Sequence, residues 1–207
     1  MIADTVLCFD RDSTIDVNPH PDHDAVPIAW VKAWAHAPEH EHIDVWATGN
    51  QRLAGEARIP GTEHARSCWE RLEGRDPSDE YPTEESTVLS LSRRVLRTIL
   101  PNLDTTFSRE NHDYQPGRRD RLRLIKDCYE HPDSGYEDLP RFLVVDNATL
   151  SDIDGEGWQW WLPWEFTESV RHRGEPLTVP DTTDYPNKPV GLDDREAQYT
   201  LSASILQ

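Results

Sequence analysis

Short apolar runs alternate along this chain with amphipathic or irregular stretches. Residues 4–9, DTVLCF, are apolar and end abruptly in DRDST. A run that short, bounded by charge, predicts a buried strand with polar residues at its C-terminal tip. Residues 15–27, IDVNPHPDHDAVP, are rich in Pro, Asp and His and predict a loop. In residues 28–37, IAWVKAWAHA, the apolar positions fall at helical spacing, with Trp30 and Trp34 on one face and Pro38 as the stop. IDVWA at 43–47 reads as a second strand, ending in Thr48, Gly49 and Asn50. The order strand, loop, helix, strand is the unit of a parallel sheet with right-handed crossovers.

Residues 51–117 break this rhythm. Residues 52–61 predict a short helix and turn, and 64–73 a helix around Trp69 and Leu72. Residues 83–100 carry the most regular helical pattern, with Glu84 and Glu85 in the first turn and Val88, Leu91, Val95 and Ile99 on one face. The rhythm resumes with a helix at 118–130, its Leu122, Ile125 and Tyr129 inward, and a strand RFLVV at 141–145 that ends in Asp146 and Asn147. WQWWL at 158–162 predicts another short strand, 164–172 a helix, and YTLSASI near the end an edge strand or docking segment. The expected organisation is a discontinuous core, 1–50 and 118–207, with a small, mostly helical insertion or cap at 51–117. There is no internal repeat.

Composition narrows the setting. Among 207 residues, Asp and Glu number 39 against 21 Lys and Arg, a net charge of -18, and only Lys32, Lys126 and Lys188 are lysine. Eight tryptophans mark a folded chain, so the acidity reads as a globular surface suited to a high-salt cytoplasm, as in a halophile. Acidity spread along the chain argues against binding a nucleic-acid backbone. No run of about eighteen apolar residues is present, and the N-terminus reads as a first strand, so neither a membrane span nor a signal peptide is expected. Cys8, Cys68 and Cys128 form no CxxC pair, which fits buried thiols in a reduced cytoplasm.

The chemistry lies at the strand tips. One carries Asp10 and Asp12, a second Thr48, a third Asp146 and Asn147. In open parallel sheets ligands bind at the C-terminal tips. Gathered hard oxygen donors suit Mg²⁺ and a phosphoryl group beside it. VLCFDRDSTI resembles the first motif of the haloacid dehalogenase superfamily, an apolar strand followed by Asp-x-Asp-x-Thr, with Asp10, Asp12 and Thr14 in place. DVWATGN resembles the second motif, with Thr48, and VVDN the fourth. The likeness spans residues 4–50 and 118–165.

That resemblance implies a three-layer, Rossmann-like α/β fold, a parallel sheet with helices on both faces. It also implies a Mg²⁺-dependent phosphomonoester hydrolase acting on a small phosphorylated substrate through an aspartyl phosphate. Asp10 is then the nucleophile, Asp12 the acid and base, and Thr48 a partner of a phosphoryl oxygen. Mg²⁺ falls to Asp10, the Asp12 carbonyl, and Asp146 or Asn147. Two positions depart from the pattern. Where the third motif has a lysine opening the last helix, this chain has Arg118 and Arg119, and Lys126 lies mid-helix. The second acid of the fourth motif comes late, at Asp152, which makes Asn147 a ligand candidate with Asp152 behind it.

Two other functions stay open, a catalytically silent binding or regulatory domain on the same fold and a nucleic-acid end phosphatase. The second rests on the arginines of RRDRLR and on Trp158, Trp160, Trp161 and Trp164 as a stacking platform. Against it, Arg121 and Arg123 read as solvated and the tryptophans as core or as a homodimer contact, a role the C-terminal tail shares. His20, Asp22 and His23 read as a loop flanking the substrate.

Overall fold

The computed structural model describes residues 2–18, 23–49, 51–75, 77, 118–148, 150–174 and 177–181. In order these form β1 (Thr5–Phe9), α1 (Ile28–His36), β2 (Ile43–Ala47), α2 (Gln51–Ala57), α3 (Thr62–Glu73), α4 (Arg118–Glu130), β3 (Arg141–Val145), β4 (Trp158–Trp161) and α5 (Pro163–Arg173), with short 3-10 turns at Pro38–His40, Pro132–Ser134 and Ser151–Glu156. The helix expected at 83–100, the loop after it and the YTLSASI segment lie outside the described residues.

All four strands are parallel, in the order β2-β1-β3-β4. This is the parallel α/β sheet expected from the alternating pattern, in a Rossmann-like arrangement, and it makes the first strand a central one. Both faces of the sheet are covered, which is why the strands read as unbroken apolar runs. Val6, Cys8, Trp46, Phe142, Val144, Trp158 and Trp160 turn one way and pack with Ala65 and Trp69 of α3 and Leu122, Ile125 and Tyr129 of α4. Leu7, Phe9, Val45, Leu143, Val145 and Trp161 turn the other way, onto Trp34 of α1, Leu53 and Ala57 of α2, and Phe166 and Val170 of α5. The alternation is the two-residue period of a strand. Residues 51–73, read from sequence as the start of the insertion, thus contribute to both core faces.

The tryptophans are committed to that core. Trp158, Trp160 and Trp161 are buried within this one chain, so they offer no surface to a base or to a second copy. Trp164 is half-buried, and its ring stacks on His23 at 4.0 Å between centroids, tying the loop after β1 to α5. His20 and Asp22 of the same loop lie outside the described residues.

That loop is held by its own polar groups. Arg11 donates to the Ile15 carbonyl at 2.9 Å, Ser13 takes a left-handed φ of 62°, and an Ile15–Val26 bridge closes the excursion. Helix α1 begins after Pro27, whose side chain cannot cap it, and Asp16 Oδ1 supplies the cap by accepting from the Ile28 amide at 2.8 Å.

Candidate active site at the strand tips

The register places three chemically useful residues side by side. Phe9 pairs with Ala47 on one side and with Val145 on the other, so the next residues, Thr48, Asp10 and Asp146, emerge level from adjacent strands. Strand spacing of roughly 4.8 Å sets how near those residues stand. Backbone hydrogen bonds extend the ladder past the strand ends, from Asp10 N to Val145 O at 3.1 Å, Thr48 N to Phe9 O at 2.9 Å and Asp146 N to Trp161 O at 3.1 Å. Trp160 Nε1 donates to the Asp146 carbonyl at 3.0 Å, fixing the third tip from the core side.

The tips are polar yet buried. Asp10 is 6%, Thr48 1% and Asp146 0% exposed. Asp12, the second acid of the first motif, stands in solvent. Burial sets the two acids apart, an enclosed carboxylate at 10 and an accessible one at 12.

Arginine offsets the buried charge. Arg118, the first residue of α4, makes an ion pair with Asp146 Oδ1 and lies 3.6 Å from Asp10 Oδ2. Of the two arginines expected to replace a lysine, Arg118 bridges the acids, while Arg119 begins a different face of the helix. Arg121 departs from expectation. Read as solvated, it instead turns inward, and its Nη1 donates to the carbonyls of Thr48 at 3.0 Å and Gly49 at 3.2 Å. It follows Arg118 by three positions, so both face the tips from one side of the helix. Arg123 points elsewhere, pairing with Glu156 at 2.7 Å and Asp120 at 2.9 Å, and Lys126 pairs with Glu130 at 3.2 Å, away from the tips.

Titration follows from this packing. Burial pushes the Asp146 carboxyl up to about 7, with Arg118 pulling against the shift and the Asp10 charge adding to it. Burial also raises Asp10, again opposed by Arg118. Arg121 is lowered by burial and by the like charge of Arg118. The tips therefore hold two carboxylates and two guanidinium groups at close quarters, a composition suited to binding an anion beside a cation.

Gly49 completes the floor. A Cβ at this position would stand 2.0 Å from Asp10 Oδ1, so a side chain cannot be added without moving the acid. Sequence reasoning named Thr48 and passed over Gly49, since the approach is between strands and only a packed sheet reveals it.

Two polar atoms here lack any hydrogen-bond partner among the described residues, Thr48 Oγ1 and Asp146 Oδ2. A buried polar atom left unpaired costs about 1–3 kcal/mol, so both mark places where a ligand atom is stabilising. Thr14 Oγ1 sits 3.5 Å from Asn147 Oδ1, which links the first and third tips at their outer edge. Asp152 lies in the turn Ser151–Glu156, and its side chain is outside the described residues.

Mg²⁺ fits these donors in a limited way. No cluster of three or more acidic, His or Cys side chains is poised for a metal among the described residues. Mg²⁺ does not require one, since it commonly takes one or two carboxylates and keeps several waters. Asp10 and the unpaired Asp146 Oδ2 supply two carboxylates, with the Asp12 carbonyl and Asn147 nearby in sequence. Arg118 occupies the gap between the two acids and has to yield part of Asp146 to any cation.

Compared with known proteins, this chain matches no family model, no curated protein and no solved structure.

Proposed function

We propose that this protein is a phosphomonoester hydrolase that works through an aspartyl phosphate on Asp10. The observation that carries the reading is the level emergence of Asp10, Thr48 and Asp146 from three adjacent parallel strands, with Thr48 Oγ1 and Asp146 Oδ2 buried and unpaired. The likeness of the three tip segments to haloacid dehalogenase motifs supports the same reading.

Asp10 attacks phosphorus, and the bond from phosphorus to the ester oxygen breaks. Asp12, accessible beside it, gives its proton to the departing oxygen. Water then attacks the phosphoryl group, Asp12 takes a proton from it, and Asp10 is released with inorganic phosphate. Thr48 Oγ1 donates to a phosphoryl oxygen, and Arg118, half-exposed at the rim, offsets charge on the transferring group. Asp10, the Asp12 carbonyl, Asp146 and Asn147 are the residues that would hold Mg²⁺. When bound, the ion neutralises the nucleophile and the phosphoryl oxygens.

A second reading, a silent binding domain on this fold, is favoured by one observation. Arg118 already bridges Asp10 and Asp146, so the tips are partly neutralised from within.

Hydrolysis of an aryl phosphate in molar KCl, with and without Mg²⁺, separates the two. Turnover that needs Mg²⁺ and vanishes in Asp10→Asn is the expected result. Equal turnover in Asp10→Asn overturns the assignment, and phosphate binding by a folded, inactive wild type points to the silent domain.

A further inference from the structure

The helices α3 and α4 carry a second reactive cluster on the sheet face, independent of the hydrolase reading. Cys68 and Cys128 are 60 positions apart in sequence, yet Cys68 packs against the buried cluster that contains Cys128, across the interface of the two helices. The helices approach closely here because Ala65 is fully buried between them. Cys128 Sγ reaches the Ala65 carbonyl at 3.4 Å and that of Leu124 at 3.2 Å, so it contacts the backbone of α3 one turn before Cys68. Positions 65 and 68 lie on the same helical face. Nothing in the hydrolytic chemistry uses either thiol.

The two cysteines differ as a reacting pair should. Cys68 is half-buried, and Arg71 one turn later donates to its sulfur at 3.4 Å. Cys68 is thus the more accessible sulfur of the two and the one a dissolved oxidant meets first. Cys128 is buried, and burial holds its thiol well above its ordinary value, so it waits as the protonated partner. Cys8 is fully buried in the middle of β1 with its thiol likewise pushed up, which leaves it outside the pair.

We propose that Cys68 and Cys128 are a peroxide-reactive dithiol that closes to a disulfide, stapling α3 to α4. The Cys68 thiolate attacks a peroxide oxygen, the O–O bond breaks, and the departing oxygen leaves as water or an alcohol after taking a proton. Cys68 is then a sulfenic acid. The Cys128 sulfur attacks the Cys68 sulfur, and the thiol proton leaves with the sulfenic hydroxyl as water. Two electrons pass from the two thiols to one peroxide.

The staple joins the two ends of the 74–117 segment, and α4 is the helix whose first turns carry Arg118 and Arg121. Oxidation therefore fixes the helix that holds the strand tips to the one packed beside it.

Intact mass and peptide mapping of the full chain test this, after treatment with modest hydrogen peroxide and alkylation of remaining thiols under denaturing conditions. The expected product is a monomer two hydrogens lighter that alkylates at one cysteine instead of three, with tryptic peptides 67–71 and 127–141 linked and Cys8 alkylated. Dithiothreitol restores all three sites. Cys8→Ser still forms the link, whereas Cys128→Ser accumulates oxygen on Cys68 alone. Three alkylatable thiols after treatment, oxygen adducts on wild-type Cys68 beside a free Cys128, or a link that involves Cys8 or a second chain each overturn the proposal.

Discussion

Gly49 faces Asp10 so closely that a Cβ on the glycine would lie 2.0 Å from the carboxylate oxygen Oδ1. One strand tip thus sets the position of the acid on the next. In Gly49→Ala the methyl has to displace Asp10, the proposed nucleophile. Activity on an aryl phosphate is expected to fall by about two orders of magnitude or more, as ångström-scale misplacement does. Overpacking costs about 1–3 kcal/mol in urea unfolding. Wild-type activity in the alanine variant would show that Asp10 is not held by this contact.

Asp146 makes stability depend on pH in an unusual direction. Its carboxyl is raised by burial from 3.8 to about 7 in the folded protein. Between these values the unfolded chain has lost a proton that the folded chain keeps. The stabilisation is therefore complete below about pH 4 and is lost as pH climbs through 7. Urea unfolding of metal-free protein at pH 5 and pH 8 should show Asp146→Asn gaining on wild type as pH rises. Parallel pH profiles for the two would remove the assignment of that proton to Asp146.

Arg121 anchors the second tip through the carbonyls of Thr48 and Gly49. Arg121→Met should loosen Thr48 and leave the two carbonyls without this donor, so kcat falls by about tenfold or more and the melting temperature falls as well. A kcat within twofold of wild type would leave Arg121 a packing residue only.

Trp160 holds the third tip from below, its indole donating to the buried Asp146 carbonyl at 3.0 Å. Trp160→Phe leaves that carbonyl unpaired and opens a small void. The combined loss is expected at about 2–4 kcal/mol by chemical denaturation. A loss below about 0.5 kcal/mol would mean that the carbonyl finds another donor.

The net charge of -18 should make the fold salt-dependent. Screening shortens from roughly 10 Å at 0.1 M to 3 Å at 1 M, which relieves repulsion among surface carboxylates. Thermal unfolding in KCl is expected to shift upward by several degrees from 0.1 to 2 M. A flat response to KCl would set aside the reading of the surface as salt-adapted.

Much of this architecture is local and could be read along the chain. Val6 to Phe9, Ile43 to Ala47 and Arg141 to Val145 are short apolar runs stopped by polar residues, and a run of that kind needs no distant information to be a strand. Leu122, Ile125 and Tyr129 fall at helical spacing and all three are buried in α4. Asp10, Thr48 and Asp146 could be singled out for the same reason, since each follows such a strand directly. The order β2-β1-β3-β4 is a different matter, because which strands become neighbours depends on how the crossovers pass over the sheet. That order, and not the spacing of any motif, brought Asp10 between Thr48 and Asp146. The rotation of α4 about its axis turned Arg121 inward against the solvated reading of its RRDRLR segment, and the packing of α3 on α4 brought Cys68 and Cys128 into one cluster. The physical division is one of range. Periodicity and tip chemistry are properties of a few consecutive residues, whereas close approach, burial of charge and the clustering of thiols arise only when distant segments exclude water from one another.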